Sequence, residues 1–173
     1  SKDAFGNSND ILVTDDRHKF FPYAMSGADG KTTFHRSRND CPEGRDVGRY
    51  SGSIRKPVTM IESPKYGKRW PGCLFDEEVE VETRTIDSVC VENDIKHIDF
   101  IWMDTQGAER DVLSGANDML PNIDYIYTEY YDEEMYENCA GLQEIKFLLP
   151  RFQLVQTWTY GDADGGDALF KRI

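Results

Sequence analysis

Cysteine and histidine are scarce in this sequence of 173 residues, which has four cysteines and three histidines. No two cysteines stand in a Cys-x-x-Cys spacing and no histidines stand at a ligand spacing, so the sequence predicts neither a zinc site nor a disulfide framework. Free thiols in a reducing compartment are the simplest interpretation, and we expect a cytoplasmic protein. The residues concerned are Cys41, Cys73, Cys90, Cys139, His18, His35 and His97.

Long apolar runs and an excess of positive charge are also missing. No stretch approaches the roughly 20 apolar residues that span a bilayer, so we expect no membrane insertion. Acidic side chains number 32 and basic ones 20, which gives a net charge of -12. This charge opposes attraction to nucleic acid, and we expect no nucleic-acid partner.

A β-α-β unit is the clearest pattern that the sequence does contain. The apolar run at residues 98–103 predicts a strand buried on both faces of a parallel sheet. Apolar residues at helical spacing over residues 108–120, followed by Pro121, predict an amphipathic helix. The Tyr- and Ile-rich run at residues 123–130 predicts a second strand, parallel to the first.

The segments after this unit predict a helix and a hairpin. Asp132 resembles a helix start, and apolar residues before Pro150 predict a helix that Gly141 interrupts. Extended runs at residues 152–160 and 168–173 predict an antiparallel hairpin, so the sheet is mixed. The loop between the runs is rich in Gly and Asp, and we interpret Asp162, Asp164 and Asp167 as turn residues rather than as a calcium site.

The segments before the unit are extended. Residues 19–26 and 31–36 flank a reversal at Asp29-Gly30, which places the first of them centrally in the sheet and the second at its edge. Alternating residues 79–84 predict a further strand, and residues 86–92 predict a short helix that leads into the unit.

Residues 37–76 predict a long surface excursion, because they are rich in Gly, Pro and Arg and poor in periodic apolar residues. Tyr50, Tyr66 and Trp70 interleave with basic side chains there, a composition that suits a glycan or a phosphorylated acceptor. A solvated charged loop is the plainer alternative. The basic residues are Arg36, Arg38, Arg45, Arg49, Arg55, Lys56, Lys65, Lys68 and Arg69.

The stretch IDFIWMDTQGAE, from Ile98 to Glu109, resembles the signature of the FkbM methyltransferase family, in which a strand ends in an Asp and runs into a Gly-Ala-Glu helix start. Val112-Leu113-Ser114-Gly115-Ala116 continues it. Other pieces stand in the family's order: Tyr23-Ala24-Met25-Ser26, Asp29-Gly30, Thr85-Ile86-Asp87, Ile126-Tyr127-Thr128-Glu129 and Gly166-Asp167-Ala168-Leu169-Phe170. The resemblance implies an α/β, class I methyltransferase (Rossmann-like) fold with a mixed sheet. It also implies S-adenosylmethionine as cofactor and O-methyl transfer to a hydroxyl, with a sugar or glycan as the expected acceptor.

The glycine-bearing turn with which that family grips its cofactor is missing. Gly6 is the only early glycine, and no apolar strand precedes it. Since the sequence also begins with Ser1 rather than Met, we expect the later part of a longer polypeptide, with residues 1–173 forming one domain whose sheet lacks its first strands. An apolar edge or face left uncovered predicts self-association or contact with an upstream domain. The alternative is a non-catalytic module of methyltransferase fold that binds a glycan or a protein partner.

Asp104 and Glu129 are the first candidate catalytic residues, because ligands of open α/β sheets bind beyond the carboxyl ends of the strands. Neighbouring strands lie roughly 4.8 Å apart, so both carboxylates can face one ligand. A carboxylate there can accept the proton of an attacking hydroxyl. Glu109 is a third candidate, although Asp104 and Glu109 also suit a helix start and Glu129 a solvated strand end. Two carboxylates also suit Mg²⁺, so metal use stays open.

The cofactor contacts come from the resemblance alone. It places Ala24, Met25 and Ser26 near the adenine and implies that Asp104 and Gln106 contact the cofactor. An ordinary buried strand is the alternative for Ala24 to Ser26.

Overall fold

The computed structural model describes residues 19–39, 51–58, 62–63, 67–68, 73–160 and 165–173. Within them the chain has a mixed α/β fold. The strands are β1 (Ala24–Met25), β2 (Gly30–Asn39), β3 (Glu62–Ser63), β4 (Gly67–Lys68), β5 (Cys73–Arg84), β6 (Ile98–Met103), β7 (Ile123–Tyr131), β8 (Phe152–Thr159) and β9 (Gly165–Arg172). The helices are α1 (Ile86–Glu92), α2 (Glu109–Ser114) and α3 (Leu142–Leu148), and a 3-10 turn covers Leu120–Asn122.

The first sheet has the strand order β1-β5-β2. The predicted strand at residues 79–84 is confirmed as the end of β5. Its alternation holds, since Val81 and Thr83 are buried while Glu80 and Glu82 are exposed. β5 is therefore the central strand of this sheet, with β1 parallel and β2 antiparallel to it.

The predicted placement of residues 19–26 is wrong. Only Ala24 and Met25 form a strand, and it lies at an edge with β5 between it and β2. The turn at Asp29 contacts the start of α1. The Asp29 carboxylate accepts hydrogen bonds from the Thr85 amide at 2.7 Å and from the Ser88 hydroxyl at 2.8 Å. The turn is thus tied to the start of α1, a helix that the sequence predicted correctly.

The second sheet has the strand order β6-β7-β9-β8. β6 and β7 are parallel, whereas β9 pairs antiparallel with both β7 and β8. The predicted β-α-β unit, the terminal hairpin and the mixed sheet are therefore confirmed. Asp162 and Asp164 lie outside the described residues.

The helix predicted over residues 108–120 is too long. α2 ends at Ser114 and Gly115 is its C-cap. A Cβ on Gly115 would lie 2.3 Å from the Ser26 carbonyl oxygen. This close backbone approach from β1 favours glycine at the end of the helix. The apolar residues that follow, up to Leu120, pack from turns instead.

The predicted helix start at Asp132 is also wrong. Residues 132–141 are not helical, and α3 begins after Gly141. The Asp132 carboxylate nevertheless accepts a hydrogen bond from the Leu142 amide at 3.1 Å. Asp132 therefore satisfies an amide of the first turn of α3 from ten residues upstream.

The main core lies between the second sheet and α2 and α3. Met103, Ile126, Tyr130, Ile145 and Phe170 are buried there. The opposite side of this sheet, here called the outer face, is not covered by described residues: Phe100 is 51% exposed and Trp102 75%. The prediction that residues 98–103 are buried on both faces is therefore wrong for the described part of the chain.

The predicted excursion is described at residues 37–39, 51–58, 62–63, 67–68 and 73–76. Tyr50, Tyr66 and Trp70 lie outside the described residues. Arg36 pairs with Glu77 at 3.0 Å and Arg38 with Asp76 at 2.5 Å, so both cations are engaged by carboxylates of the neighbouring strand.

No helix in the described ranges has the length and apolar character that crossing a bilayer requires. Cys90 and Cys139 are free thiols, and burial raises the pKa of both.

Candidate functional site

The carboxyl ends of β6 and β7 bring Asp104, Gln106 and Glu129 together. The Gln106 side-chain nitrogen donates to Asp104 Oδ1 at 2.5 Å and to Glu129 Oε2 at 2.9 Å. Gln106 has a φ of 52°, an uncommon conformation for a residue with a side chain. One amide thus holds two carboxylates on the same side of the sheet, and three predicted site residues form one cluster.

Three more side chains complete the surroundings of Glu129. The Tyr131 hydroxyl donates to Glu129 Oε2 at 2.7 Å. The Tyr160 hydroxyl lies 2.8 Å from Glu129 Oε1 and 2.9 Å from Asp167 Oδ1. Asp167 is directly opposite Glu129 in the β7–β9 register. The cluster therefore contains three carboxyl groups, two phenols and one amide.

The Tyr160 hydroxyl lies between two carboxyl groups, Glu129 and Asp167. A phenol has one proton, so it can donate to Glu129 or to Asp167 but not fully to both. Two like charges directly opposite each other on neighbouring strands are also unfavourable. A proton on Glu129 Oε1, donated to the Tyr160 oxygen while Tyr160 donates to Asp167, satisfies every contact.

Burial also favours the protonated form of Glu129. Desolvation, assisted by the negative charge of Asp104, raises the pKa of Glu129 to about 7, although the hydrogen bonds from Tyr131 and Tyr160 oppose the rise. Burial also raises the pKa values of Tyr131 and Tyr160, so both stay neutral donors. Glu129 therefore changes its charge near neutral pH.

Glu109 lies behind the cluster and is 0% exposed. Its Oε1 accepts hydrogen bonds from the Thr105 amide at 3.1 Å, the Thr105 hydroxyl at 2.9 Å and the Gly107 amide at 3.3 Å. Its other oxygen is buried without a hydrogen-bond partner among the described residues. Burial raises the pKa of Glu109. This geometry makes Glu109 a support of the turn at residues 105–107 and keeps it out of reach of a substrate.

Tyr136 packs against the same turn from the other side. A Cβ on Gly107, whose φ is 92°, would lie 2.6 Å from the Tyr136 Cβ, so only glycine fits there. The buried Tyr136 hydroxyl lies 2.8 Å from Gln106 Oε1 and 2.9 Å from the Ser51 carbonyl oxygen. The Asp104 and Glu129 carboxylates accept from the Gln106 nitrogen and so determine which way its amide faces, while Tyr136 contacts the amide oxygen.

Residues 51–58 dock on the start of α2 and on the turn before it. The buried Ser53 donates its hydroxyl proton to the Thr105 carbonyl oxygen at 3.4 Å. Arg55 binds both oxygens of Asp111, at 2.6 and 2.5 Å. Part of the predicted excursion thus supports the site, and the partner of Arg55 is this chain's own carboxylate.

Ala24, Met25 and Ser26 lie elsewhere. Ala24 and Met25 belong to the first sheet, and the Ser26 carbonyl oxygen contacts Gly115 beyond the far end of α2. Gln106 precedes the other end of that helix. Six helical residues span about 9 Å, which separates Ser26 from the carboxylate cluster.

Possible metal donors occur at both ends of the parallel strands. Between Asp104 and Glu129 the Gln106 nitrogen occupies the position that a shared cation would take, so a divalent ion there requires this amide to rotate away. At the opposite end of the strands, His97, Asp99 and Asp124 place donor atoms within 4.8 Å of one another. Arg172 already binds Asp124 there at 2.6 Å.

Several residues of the cluster were not predicted as site residues. Tyr131 follows Glu129 by two positions on a strand, so alternation alone would have placed both on one face. Asp167 was interpreted as a turn residue, and only its pairing with Glu129 reveals its position. Tyr136 gave no signal, because a loop brings it to the site. Tyr160 directly follows β8, and the register of the β8–β9 hairpin brings it to Glu129.

Comparison with known proteins identifies the chain's relatives. The model of the methyltransferase FkbM domain matches residues 6–157. The 2-O-methyltransferase NoeI of Sinorhizobium fredii (strain NBRC 101917 / NGR234) is 39% identical over 158 residues, which are 90% of this chain and 60% of NoeI. The chain thus spans about three fifths of the length of this curated relative. No solved structure matches the chain.

Proposed function

The chain belongs to the FkbM methyltransferase family, and on that premise we propose that it carries the acceptor-activating carboxylates of an S-adenosylmethionine-dependent O-methyltransferase. The fold is then the later part of a class I, Rossmann-like methyltransferase, with β6, α2 and β7 as a β-α-β unit of its sheet. The observation that carries the proposal is the cluster of Asp104, Gln106 and Glu129 at the carboxyl ends of two adjacent parallel strands.

Glu129 is the proposed general base. In the transfer, the acceptor oxygen forms a bond to the methyl carbon while the carbon–sulfur bond breaks, and the hydroxyl proton moves to a Glu129 carboxylate oxygen. A base with a pKa near the working pH is suited to this step. Tyr131 and Gln106 both donate to Glu129 Oε2, which leaves Oε1, now in contact with Tyr160, to face the acceptor.

Asp104 and Gln106 are the proposed cofactor contacts. S-adenosylmethionine supplies a methyl group on a positively charged sulfur when it is bound. The exposed carboxylate of Asp104, with Glu129 and Asp167 beside it, suits a cationic ligand. Gln106 holds the Asp104 carboxylate in place through its side-chain nitrogen. Contact of Ala24, Met25 and Ser26 with the adenine would require a ligand that reaches past α2.

Glu109 is a positioning residue in this proposal rather than a catalytic one. Its three accepted hydrogen bonds hold the turn that presents Asp104 and Gln106. A divalent ion at the cluster would require the Gln106 side chain to rotate away, and the proposed proton transfer to Glu129 does not require such an ion.

The proposed acceptor is a sugar or glycan hydroxyl. The support is the family and the similarity to a protein named a 2-O-methyltransferase. The proposed compartment is the cytoplasm, which the free thiols Cys90 and Cys139 suit.

A binding titration and a transfer assay test the proposal together. Isothermal titration with S-adenosylhomocysteine measures the cofactor site without the acceptor, and we expect saturable binding that Asp104→Ala abolishes. Transfer of labelled methyl from S-adenosylmethionine to a panel of saccharides is expected to fall about 10²- to 10⁴-fold in Glu129→Gln, because one proton acceptor is removed. The same variant should keep its affinity for S-adenosylhomocysteine.

Asp99→Asn is the matched control, since it removes a carboxylate at the opposite end of β6. Equal transfer by wild type and Glu129→Gln would reject the role of Glu129. Absence of S-adenosylhomocysteine binding to the wild-type chain would favour a non-catalytic or incomplete module, the alternative that its span of 60% of NoeI supports.

A further inference from the structure

Glu129 and Asp167 are two carboxyl groups that share one hydroxyl. Glu129 on β7 lies directly opposite Asp167 on β9. Residues opposite each other on antiparallel strands have Cβ atoms about 4.5–5.5 Å apart. The Tyr160 hydroxyl oxygen lies 2.8 Å from Glu129 Oε1 and 2.9 Å from Asp167 Oδ1. Both carboxyl groups therefore face the same space, which is now filled by a hydroxyl.

The Tyr160 hydroxyl provides one proton for these two acceptors. It can therefore donate fully to only one of the two carboxylates when both are ionised. The other oxygen of Glu129 is in a different position, since its Oε2 accepts from the Tyr131 hydroxyl at 2.7 Å and from the Gln106 nitrogen at 2.9 Å. A ligand that brings two hydroxyl protons to this space would satisfy both Glu129 Oε1 and Asp167 Oδ1.

The exposure and charge of the cluster restrict the kind of ligand. Asp104 is exposed and Tyr160 is 45% exposed, so the cluster can be reached from the side of these two residues in the described part of the chain. Three carboxyl groups, those of Asp104, Glu129 and Asp167, oppose the approach of an anionic acceptor such as a phosphorylated sugar. They suit an uncharged ligand that donates hydrogen bonds.

We propose that Asp167 is a specificity-determining residue, which binds the hydroxyl next to the one that is methylated, and that the acceptor is an uncharged vicinal diol. Two neighbouring hydroxyls take the place of the Tyr160 hydroxyl, one on Glu129 Oε1 and the other on Asp167 Oδ1. Neighbouring hydroxyl oxygens of a sugar ring are about one hydrogen-bond length apart and carry one proton for each carboxylate. The inference rests on the proposed role of Glu129 as general base.

The diol changes only one of its two hydroxyls in the reaction. The oxygen on Glu129 forms a bond to the methyl carbon, the carbon–sulfur bond breaks with its electron pair going to sulfur, and the hydroxyl proton moves to Glu129 Oε1. The neighbouring hydroxyl keeps its proton and its hydrogen bond to Asp167. The Tyr160 side chain turns away, while its amide stays bonded to the Gly165 carbonyl oxygen at 3.2 Å. Asp167 thus selects which hydroxyl of the acceptor faces the base.

Binding of the diol can be tested without methyl transfer. Saturation-transfer difference NMR is recorded on this chain with the methyl glycosides of glucose, galactose and mannose, each with its monodeoxy analogues. We expect a signal from at least one parent glycoside that is lost when either of two neighbouring hydroxyls is missing. Asp167→Ala should abolish this signal, whereas Tyr160→Phe should keep it because the phenol hydroxyl is displaced by the ligand. Asp99→Asn, which removes a carboxylate at the other end of β6, is the control.

A transfer assay on the same pairs of acceptors tests the selection. We expect wild type to favour the parent glycoside over the analogue that lacks the neighbouring hydroxyl by about 10- to 100-fold in kcat/KM, since that hydroxyl bonds to a charged group. The ratio should fall towards one in Asp167→Ala and take an intermediate value in Asp167→Asn, which keeps the shape of the side chain. A merely structural role of Asp167 would lower the rates with both acceptors and leave their ratio unchanged.

Three results would overturn the proposal: no binding signal from any of the diols, a signal that survives in Asp167→Ala, or the same acceptor ratio in wild type and in both Asp167 variants. Diol binding that depends on Asp167 but is accompanied by no methyl transfer would support the diol site and reject the proposed activity. Failure of this inference is therefore distinguishable from failure of the proposed function.

Discussion

At the residue scale, the environment of Glu129 sets activity and stability in opposition. Its pKa is raised to about 7 in the folded protein, from an ordinary value of 4.5. The folded state therefore holds a proton that the unfolded state releases between these two values. Stability attributable to this group is fully present below about pH 4.5 and is lost as the pH rises through 7, whereas the ionised base that catalysis needs becomes populated over the upper part of that window.

We predict that Glu129→Gln flattens the pH dependence of unfolding. The contribution that wild type loses between pH 5 and pH 8 is at most about 3 kcal/mol, since one pKa unit corresponds to roughly 1.4 kcal/mol. Urea denaturation of both proteins at several pH values measures it. Glu109 has a raised pKa in both proteins, so the difference between them isolates Glu129. Parallel pH profiles would contradict the prediction.

A second prediction at this scale concerns the neutral amide between two carboxyl groups. Gln106→Glu introduces a fourth carboxyl group into the cluster, and we expect it to lower the free energy of unfolding by about 1–3 kcal/mol at pH 8 in chelator. Mg²⁺ or Ca²⁺ should then raise the midpoint of this variant more than that of wild type, because oxygen-rich sites bind these ions. Gln106→Leu is the control that loses the hydrogen bonds without adding charge. An equal response of both variants to the ions would show that charge is not the cause.

The sequence predicted the part of this site that strand ends supply. Asp104 and Glu129 end apolar runs, and parallel strands bring their carboxyl ends to one edge. The proton-sharing partners were not predictable in this way, because Tyr160 and Asp167 reach Glu129 through the register of a hairpin. A register is set by cross-strand packing, which the order of residues along one strand does not contain.

At the scale of elements, helix ends depend on contacts from distant segments. Periodicity placed helical residues correctly in α1 and in part of α2 and α3. It extended α2 past Gly115, where the backbone of Ser26 approaches closely, and it began α3 too early, since Asp132 contacts the start of that helix from outside it. Each error arises where a residue far away in sequence contacts the helix end.

The contribution of a helix cap to stability can be measured at the start of α1. Thr85 caps the helix by accepting from the Ser88 amide at 3.0 Å, and its own amide donates to Asp29. We predict that Thr85→Ala lowers the free energy of unfolding by about 1 kcal/mol in urea denaturation, because an amide of the first turn loses its acceptor. Thr33→Ala, at an exposed position of β2, is the matched control. A change no larger than that of the control would show that the cap contributes nothing.

At the scale of the whole molecule, the two sheets differ in how much the sequence revealed about them. The second sheet follows from the β-α-β pattern and the hairpin. The first does not, because β5 separates β1 from β2 and no local signal encodes that insertion. The apolar run at residues 98–103 predicted burial on both faces, whereas Phe100 is 51% and Trp102 75% exposed in the described part of the chain.

The position of β9 has a consequence for how the second sheet assembles during synthesis. β9 follows β8 in the chain yet lies between β7 and β8, so β8 has no partner in this sheet until β9 has left the ribosome. The same strand carries Asp167, the group opposite Glu129. Until that moment a nascent chain exposes the free edges of both β7 and β8, and it is then most open to wrong pairing or to capture by a chaperone. The insertion of a single strand thus completes the sheet and the proton-sharing cluster in one late event.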